Sequence, residues 1–414
     1  MTTDVLQPAT PTRLDTLAKK LLLSRLQRVT HGCLTIDEGG HKQVMGQTDA
    51  ELQALITVHH PQFYSDVAFG GSIGAGEAYI RGDWTSPAPD LVVRLLLQNR
   101  DVLASVDSGW AWIAKSAQLA LHWLNRNTRK GSRKNIAAHY DLGNEFYQLW
   151  LDERMMYSSA FFESEESSLG EAATAKLQRI CDKLELKPGD HVIEIGSGWG
   201  GFAIFAAQNY GCRVTTTTIS KEQFAMAEAR IAAAGLQDQI TLLQKDYREL
   251  EGQYDKLVSI EMIEAVGHQY HNNFFSKCCQ LLKPDGLMLL QAITIADQRY
   301  GRYKRGVDFI RRYIFPGGCL TSVTDMCRVM TRRTDLRTVD IEDIGLHYAK
   351  TLRCWRDRFF AHIDTVRSQG YSDDFIRMWD FYLSFCEGAF LERAIGDVQM
   401  LIMRPHARFG AIPE

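Results

Sequence analysis

The chain contains 414 residues with a formal net charge of −3 at pH 7, and 45% of its residues are hydrophobic. A net charge this close to zero argues against general affinity for nucleic acid. No apolar run reaches the ~18 residues of a membrane-spanning helix. A length of this order is typical of two globular domains.

The nine cysteines are odd in number and form no C-x-x-C pair. This pattern indicates reduced thiols in a cytoplasmic protein, and it predicts neither a disulfide framework nor a bound metal. The lack of a membrane-spanning segment does not exclude contact with the surface of a membrane.

The N-terminal part of the chain, residues 1–125, is predicted to form a small α+β domain. Short strand-like pieces alternate with turns over residues 32–83, and residues 88–125 have a helical pattern. A basic amphipathic helix precedes them, with leucines at helical spacing: Leu14, Leu17, Leu21, Leu22 and Leu26. Either this leucine face packs on its own domain, or the helix contacts anionic lipid.

A basic and polar segment, residues 126–135, indicates a linker to a second domain over residues 136–414. Five positive charges fall within nine residues of this segment. They are either solvated or face an anionic membrane surface, where each contributes about 1 kcal/mol.

The second domain alternates near-continuous apolar strands with helical segments, which predicts an α/β fold with a parallel sheet covered on both faces. The strands are expected at 191–196, 213–218, 240–246, 256–262 and 287–293, and the helices around 171–185, 202–209, 221–234 and 270–283. Residues 300–400 are rich in aromatics and are expected to be helical, as a lid or apolar pocket over the sheet.

A glycine turn follows the first of these strands, in the order Glu194-Ile195-Gly196-Ser197-Gly198-Trp199-Gly200. It indicates a nucleotide-like ligand, but it is a weak signal alone. A nicotinamide enzyme would carry an acidic residue about 20 positions further on, at the end of the second strand. Residues 215–220 contain none, and the lysine of a phosphate-binding P-loop is also absent.

The acidic residues that are present favour S-adenosylmethionine over a dinucleotide. Glu194 precedes the turn, and a third strand ends in Asp246-Tyr247-Arg248, where a carboxylate could accept from an adenine amino group and a flat side chain could stack on the ring. The alternative interpretations are structural, with Glu194 at a capped strand end and Asp246 as a helix N-cap.

Several longer motifs make a family resemblance specific. They are HYDLGNEFY at 139–147, MYSSAFF at 156–162, TISKEQ at 218–223, EMIEAVG at 261–267 and YIFPGGCL at 313–320, with GSIGAGEAY at 71–79 in the small domain. In these motifs and in their order, the chain resembles the cyclopropane-fatty-acyl-phospholipid synthase family. The resemblance implies a seven-stranded Rossmann-like methyltransferase sheet with helical lid insertions.

The resemblance also implies which residues hold the cofactor, S-adenosylmethionine. They are the residues of the glycine loop and the polar side chains around it: Tyr140, Tyr157, Ser158, Glu194, Gly196, Gly198, Gly200, Thr218, Gln223, Asp246, Tyr247 and Arg248. Hydroxyl, amide and backbone N–H groups of this kind can bind the methionine and ribose parts.

The implied reaction adds a one-carbon unit to the double bond of an acyl chain, through a carbocation that a bound bicarbonate ion deprotonates. Family positions that hold this ion match Glu264, the backbone of Ile293, Tyr348, a cysteine and a histidine. Here Ser159 stands at the cysteine position and Gln291 at the histidine position. Serine and glutamine can still donate hydrogen bonds to an anion, but a histidine carries charge that they lack. A carboxylate that faces an anion needs a shared proton or a raised pKa, so we expect Glu264 to be protonated when an anion binds.

The expected function is cyclopropanation of unsaturated acyl chains of membrane phospholipids. The alternative is a fatty-acyl C-methyltransferase that gives methyl- or methylene-branched chains, including furan precursors. A catalytically inactive lipid-binding protein and a small-molecule methyltransferase are further alternatives. The resemblance implies a homodimer at the inner membrane surface. Basic residues would contact lipid there, at 126–134 and at Arg302, Lys304, Arg305, Arg311 and Arg312.

Overall fold

The computed structural model describes residues 10–102, 142–408 and 410. They form two compact units. The first contains the described residues up to 102 together with Gly306–Ile314 and Phe360–Ala394, and the second contains the rest. Two segments from within the predicted 136–414 range thus belong to the first unit. The predicted linker and the boundaries at 125 and 136 lie outside the described residues and stay predictions.

The first unit begins with helix α1 (Arg13–Leu26), which has a capping box between Thr12 and Asp15. The predicted helix is confirmed, but its leucines do not form one buried face. Leu22 and Leu26 are buried, whereas Leu14, Leu17 and Leu21 are 54%, 54% and 40% exposed. The helix therefore packs on its unit by one side, and the described residues leave a second apolar stripe uncovered.

A four-stranded sheet of order β2-β1-β3-β4 forms the centre of the first unit. Its strands are β1 (Cys33–Glu38), β2 (His41–Gly46), β3 (Gln53–Val58) and β4 (Trp84–Thr85), and its further helices are α2 (Gln62–Arg81), α3 (Pro89–Gln98) and, late in the chain, α13 (Asp373–Leu391). The predicted α+β character of this region is confirmed.

The second unit is built on a seven-stranded sheet of order β10-β11-β9-β8-β5-β6-β7. Its strands are β5 (His191–Ile195), β6 (Arg213–Thr217), β7 (Ile240–Leu243), β8 (Tyr254–Ile260), β9 (Leu282–Ile295), β10 (Arg337–Asp343) and β11 (Ile395–Met403). Strands β5 to β9 pair in parallel, and β9–β11 and β11–β10 pair antiparallel.

Helices pack on both faces of this sheet, each with its own apolar cluster. The helices on one face are α5 (Leu169–Lys183), α6 (Gly201–Tyr210) and α7 (Lys221–Ala233), and those on the other are α8 (His271–Leu281) and α10 (Val323–Arg333). The unit also contains α4 (Asn144–Gln148), α9 (Asp297–Tyr303) and most of α11 (Gly345–Ala361), whereas the short α12 (Ile363–Ser368) belongs to the first unit. The predicted α/β class and its five parallel strands are confirmed.

The expectation that residues 300–400 are helical is wrong at two places, because β10 and β11 lie there. Strand β10 is an edge strand with mostly polar, exposed residues, so it lacks the apolar run of a buried strand. Strand β11 pairs with β9, over 100 residues earlier in the chain, from Ile395 opposite Ile295 to Met403 opposite Leu287. Pairing over such a distance leaves no local signal in the sequence.

None of the helices in the described part of the chain is long and apolar enough to cross a bilayer.

Helix α2 is kinked at Gly71, which has φ 59° and ψ −140°. Beyond the kink, a Cβ added to Gly74 would lie 2.0 Å from the backbone oxygen of Asp66, whereas one added to Gly70 would meet nothing within 4 Å. A glycine at 74 is therefore required by close approach of the backbone.

We expect Gly74→Ala to lower the free energy of unfolding of the first unit by about 1–3 kcal/mol, the usual range for overpacking a tight site. Gly70→Ala is the matched control and should change it little. Thermal and urea melts of the full chain measure both. Equal free energies of unfolding for the two variants would contradict the prediction, because they would show that the backbone can move away from an added Cβ at position 74 without loss of stability.

Candidate active site

The glycine loop joins β5 to α6 at the carboxyl edge of the sheet. Gly196, Gly198 and Gly200 have φ of 101°, 49° and 84°, a region that other residues rarely adopt. The N–H groups of Gly196 and Ser197 donate to the Thr217 oxygen on β6, at 3.1 and 2.9 Å. A Cβ on Gly198 would meet nothing within 4 Å, so a ligand can come close to the backbone at the start of α6.

Glu194 lies on β5 and is buried rather than at the surface of the loop. The Thr216 hydroxyl on the neighbouring strand donates to its Oε2 at 2.5 Å. Burial raises the pKa of Glu194 to about 8. Its predicted cofactor contact stays a prediction, since the side chain bonds within the sheet.

The other predicted cofactor residues follow the ends of β6 and β7. The Thr218 hydroxyl donates to the Gln223 amide oxygen at 2.9 Å. Asp246 accepts from the backbone of Arg248 as an N-cap and forms an ion pair with the Arg248 guanidinium at 2.5 Å. Tyr247 packs its ring against Phe274, with the centroids 5.6 Å apart. The structural interpretation of Asp246 as an N-cap is confirmed, and a ligand role stays a prediction.

Tyr157 and Ser158 lie in the segment that precedes α5. Tyr157 is half-buried, with its ring 5.4 Å from Trp150 and 5.3 Å from Trp355. Ser158 is buried, and its hydroxyl accepts from the Lys176 ammonium at 2.6 Å. Tyr140 lies outside the described residues, so its predicted contact stays a prediction.

Four of the five predicted anion-site residues contact two glutamates at the end of β8. The Tyr348 hydroxyl donates to Oε2 of Glu261 at 2.7 Å, and the Ser159 backbone N–H and the Gln291 amide donate to its Oε1 at 2.8 and 2.7 Å. The N–H of Ile293 donates to Oε1 of Glu264 at 2.6 Å. The structure thus brings together the residues that the sequence grouped, but it places Glu261 between three of them.

Glu264, the fifth residue of that set, has an Oε2 atom that is buried and has no hydrogen-bond partner among the described residues. Burial and the neighbouring charge of Glu261 raise the pKa of Glu264 to about 8. This direction favours a protonated Glu264 at neutral pH, and the protonated state that we expect when an anion binds stays a prediction.

A second layer of buried polar groups supports Glu261. The Gln291 amide also donates to Oδ2 of Asp397 at 3.0 Å, and the Gln399 amide donates to the Gln291 oxygen at 3.2 Å. Burial and the neighbouring acids raise the pKa of Asp397 well above its usual range. The fully buried ammonium of Lys176 is attracted to Glu261 and Asp397, and its burial lowers its pKa.

Sequence reasoning missed Glu261, Asp397 and Lys176 as members of the site. Glu261 had a signal, since it lies three residues before Glu264 and directly after a strand that ends at the ligand edge of the sheet. Asp397 lies on β11 and Lys176 on α5, and neither belongs to a motif that points to this edge.

One predicted lipid-contacting residue is misplaced. Arg311 is 4% exposed, and its guanidinium donates to the backbone oxygen of Gly306, so it cannot face a membrane. Arg312 pairs with Glu77 at 3.0 Å. Arg302 and Arg305 are exposed, as expected for a basic surface.

The mostly parallel seven-stranded sheet, with its glycine loop after β5, defines a Rossmann-like methyltransferase. The sequence model of one family, mycolic acid cyclopropane synthetase, matches residues 127–400. The chain belongs to this family, as the resemblance to cyclopropane-fatty-acyl-phospholipid synthases predicted.

Two curated relatives cover most of the chain. Tuberculostearic acid methyltransferase UfaA1 of Mycobacterium tuberculosis is 35% identical over 378 residues, 87% of this chain and 85% of that protein. Cyclopropane-fatty-acyl-phospholipid synthase of Escherichia coli K12 is 36% identical over 358 residues, 85% of this chain and 88% of that protein.

Among solved structures, the chain is similar to the mycolic acid cyclopropane synthase CmaA1 complexed with SAH and CTAB. The TM-score is 0.61 at 29% identity, over 66% of this chain and 98% of that one.

The raised pKa of Glu264 predicts a pH-dependent stability. Between the ordinary pKa of 4.5 and the folded value of about 8, the folded state holds a proton that the unfolded state releases, so stability falls as the pH rises. Glu264→Gln removes this dependence, which is at most about 1.4 kcal/mol per pH unit. Urea melts at pH 5 and pH 8 should show the variant gaining stability relative to the wild type at the higher pH.

The exposed Glu166 provides the control, and Glu166→Gln should keep the wild-type dependence. Parallel pH profiles of wild type and Glu264→Gln would contradict a raised pKa at Glu264.

Proposed function

We propose that the protein transfers a one-carbon unit from S-adenosylmethionine to the double bond of an unsaturated acyl chain in membrane phospholipids. The observation that carries this proposal is that the glycine loop lies next to the glutamate network, by which we mean Glu261, Glu264 and the groups that donate hydrogen bonds to them. A Cβ on Gly196 would lie 3.2 Å from the side chain of Met262, which is the residue after Glu261. A ligand at the loop and an acid–base group at the network would therefore face one another.

S-adenosylmethionine is the cofactor, and the residues present fit it. The loop backbone near Gly198 offers close approach to the amino-acid part, and Ser158, Thr218 and Gln223 offer hydroxyl and amide groups for the remainder. Tyr157 and the Asp246–Arg248 segment would complete the site. When bound, the cofactor supplies a methyl group on a positively charged sulfur.

The protein's contribution to the transfer is alignment and charge stabilisation. An alkene is a weak nucleophile, and holding the reactants in line can be worth ~7–11 kcal/mol. The cation that then forms on the chain is stabilised by aromatic faces, at about 0.5–2 kcal/mol for each contact. Tyr157 offers such a face, and the fully buried rings of Trp150 and Trp355, with centroids 5.3–5.5 Å apart, hold it in place.

Cyclopropanation is the lead activity that we propose, and transfer of a methyl group to give a branched chain is the second candidate. The first is favoured by the likeness to the E. coli cyclopropane synthase, and the second by the likeness to UfaA1 over a similar share of the chain. Ser159 and Gln291, which depart from the family pattern at the anion site, also favour the second. A bound bicarbonate ion as the proton acceptor stays a prediction.

Lipid contact by the first unit is part of the proposal. Leu14, Leu17 and Leu21 present exposed apolar surface on α1, next to the exposed basic residues Arg13 and Lys20. An amphipathic surface of this kind binds anionic bilayers by combining apolar burial with charge attraction. A homodimer, implied by the resemblance, also stays a proposal.

Incubation of the protein with S-adenosylmethionine and vesicles of monounsaturated phospholipid tests the function. We expect the acyl chains to gain the mass of one CH₂ unit in mass spectrometry. NMR of the purified chains then separates a ring from a methyl or methylene branch. No mass gain, with methyl transfer instead to a small soluble acceptor, would contradict the lipid reaction.

The lipid surface is tested by Leu17→Ser combined with Leu21→Ser. Fully burying one leucine is worth roughly 1.5–3 kcal/mol, so binding to anionic vesicles should fall at least about tenfold. It should weaken further with salt, which screens the basic side chains. Leu346→Ser, at a leucine that is 46% exposed on α11, is the control and should leave vesicle binding unchanged. Equal binding by the double variant would exclude α1 as the contact.

A further inference from the structure

Glu261 occupies the point at which the donors of the site converge. Tyr348, Ser159 and Gln291 direct an O–H, a backbone N–H and an amide N–H at its two oxygens, over 2.7–2.8 Å. These are three of the five groups predicted to hold a free anion. A carboxylate supplied by the chain thus has the contacts that a bound planar anion would make.

The backbone at Glu261 is strained. Its φ is 48°, in the left-handed region that favours glycine. Its backbone N–H donates to the backbone oxygen of Gln291 at 2.8 Å. Strain of this kind persists where surrounding contacts impose it, and it is concentrated at functional positions. A glutamate here is therefore held by its side-chain contacts against the preference of its backbone.

The charges around Glu261 favour its ionised form over that of its acidic neighbours. Three donors point at its carboxylate, and Lys176 supplies a buried positive charge nearby. Glu264 accepts backbone N–H groups only, including that of Ile293, and Asp397 accepts the amide N–H of Gln291, so each has fewer donors than Glu261. Burial raises the pKa of Glu261 as well, but these donors and Lys176 oppose that shift, so Glu261 is the best stabilised of the three carboxylates as an anion.

Glu261 is also more accessible than the groups that hold it. Ser159, Gln291, Tyr348, Asp397 and Lys176 are all buried, whereas Glu261 keeps an intermediate exposure. As a whole residue, Glu261 is therefore the member of this group nearest to the accessible side of the site.

We infer that the Glu261 carboxylate is the built-in proton acceptor of the reaction, in place of a bound bicarbonate ion; this inference rests on the proposed function. In the step, a C–H bond of the cationic acyl chain breaks, and its proton forms an O–H bond with Glu261. The electron pair of the C–H bond closes the third C–C bond of a ring. If a hydride shift first moves the positive charge to the carbon that bears the new methyl group, the same electron pair forms the double bond of a methylene branch. No oxidant or reductant is consumed.

The test compares Glu261→Gln and Glu261→Gly with the wild type, in buffer freed of bicarbonate and in buffer with added bicarbonate or formate. We expect wild-type product formation to be independent of bicarbonate. Glu261→Gln should lose at least about 100-fold, in the range typical of general-base removal. Glu261→Gly, which relieves the backbone strain and opens space for a small anion, should regain activity with formate or bicarbonate.

The matched control is Glu185, another glutamate in the left-handed region, with φ 52° and an exposed side chain. Glu185→Gln and Glu185→Gly should behave as the wild type. Calorimetric binding of S-adenosylhomocysteine is the readout besides activity, and it should be the same for all variants if they fold with an intact cofactor site.

The outcomes separate the inference from the proposed function. A wild type without lipid product overturns the proposed function, and the inference with it. A wild type that forms product only with bicarbonate, or a Glu261→Gln variant with wild-type rates, overturns the inference alone. Loss of cofactor binding in Glu261→Gln would assign the residue to cofactor binding and overturn its role as proton acceptor.

Discussion

Three hydrogen bonds that converge on the Glu261 carboxylate hold the active site together. They connect the end of β8 to Gln291 on β9, to Tyr348 on α11 and to the segment before α5 through Ser159. A carboxylate removed from water is costly unless donors surround it, and removing one donor leaves the charge uncompensated. The positions of these four elements are therefore coupled through one side chain.

The hydrogen bonds to Glu261 also fix the positions of neighbouring side chains at the carboxyl edge of the sheet. Met262, held next to Glu261, packs beside Gly196 and so links the network to the glycine loop. Glu264 and Asp397 lie next to the same network, with pKa values raised by burial, and one buried lysine balances the cluster. The result is a site in which one of three neighbouring carboxylates, Glu261, has most of the hydrogen-bond donors.

Much of the catalytic fold could be predicted from the sequence, because its central strands are apolar, continuous and separated by helices. The loop at Gly196–Gly200 was predictable because three glycines directly follow an apolar strand, and all three have a positive φ in the structure. Strand β10 was not, because its residues are mostly polar and exposed, and β11 was not, because it pairs with β9, which is distant in the chain. Glu261 was missed because its significance lies in its contacts, and Arg311 was misplaced because charge alone does not reveal burial. The exposed Leu14 and Leu17 show that periodicity finds a helix but not which stripe is covered.

A crystal structure grown with S-adenosylhomocysteine and bicarbonate tests the central claim most directly. We expect the Glu261 carboxylate to accept from Tyr348, Ser159 and Gln291, with no separate planar anion at those donors. A bicarbonate ion bound to these three groups, with the Glu261 side chain turned away, would contradict it.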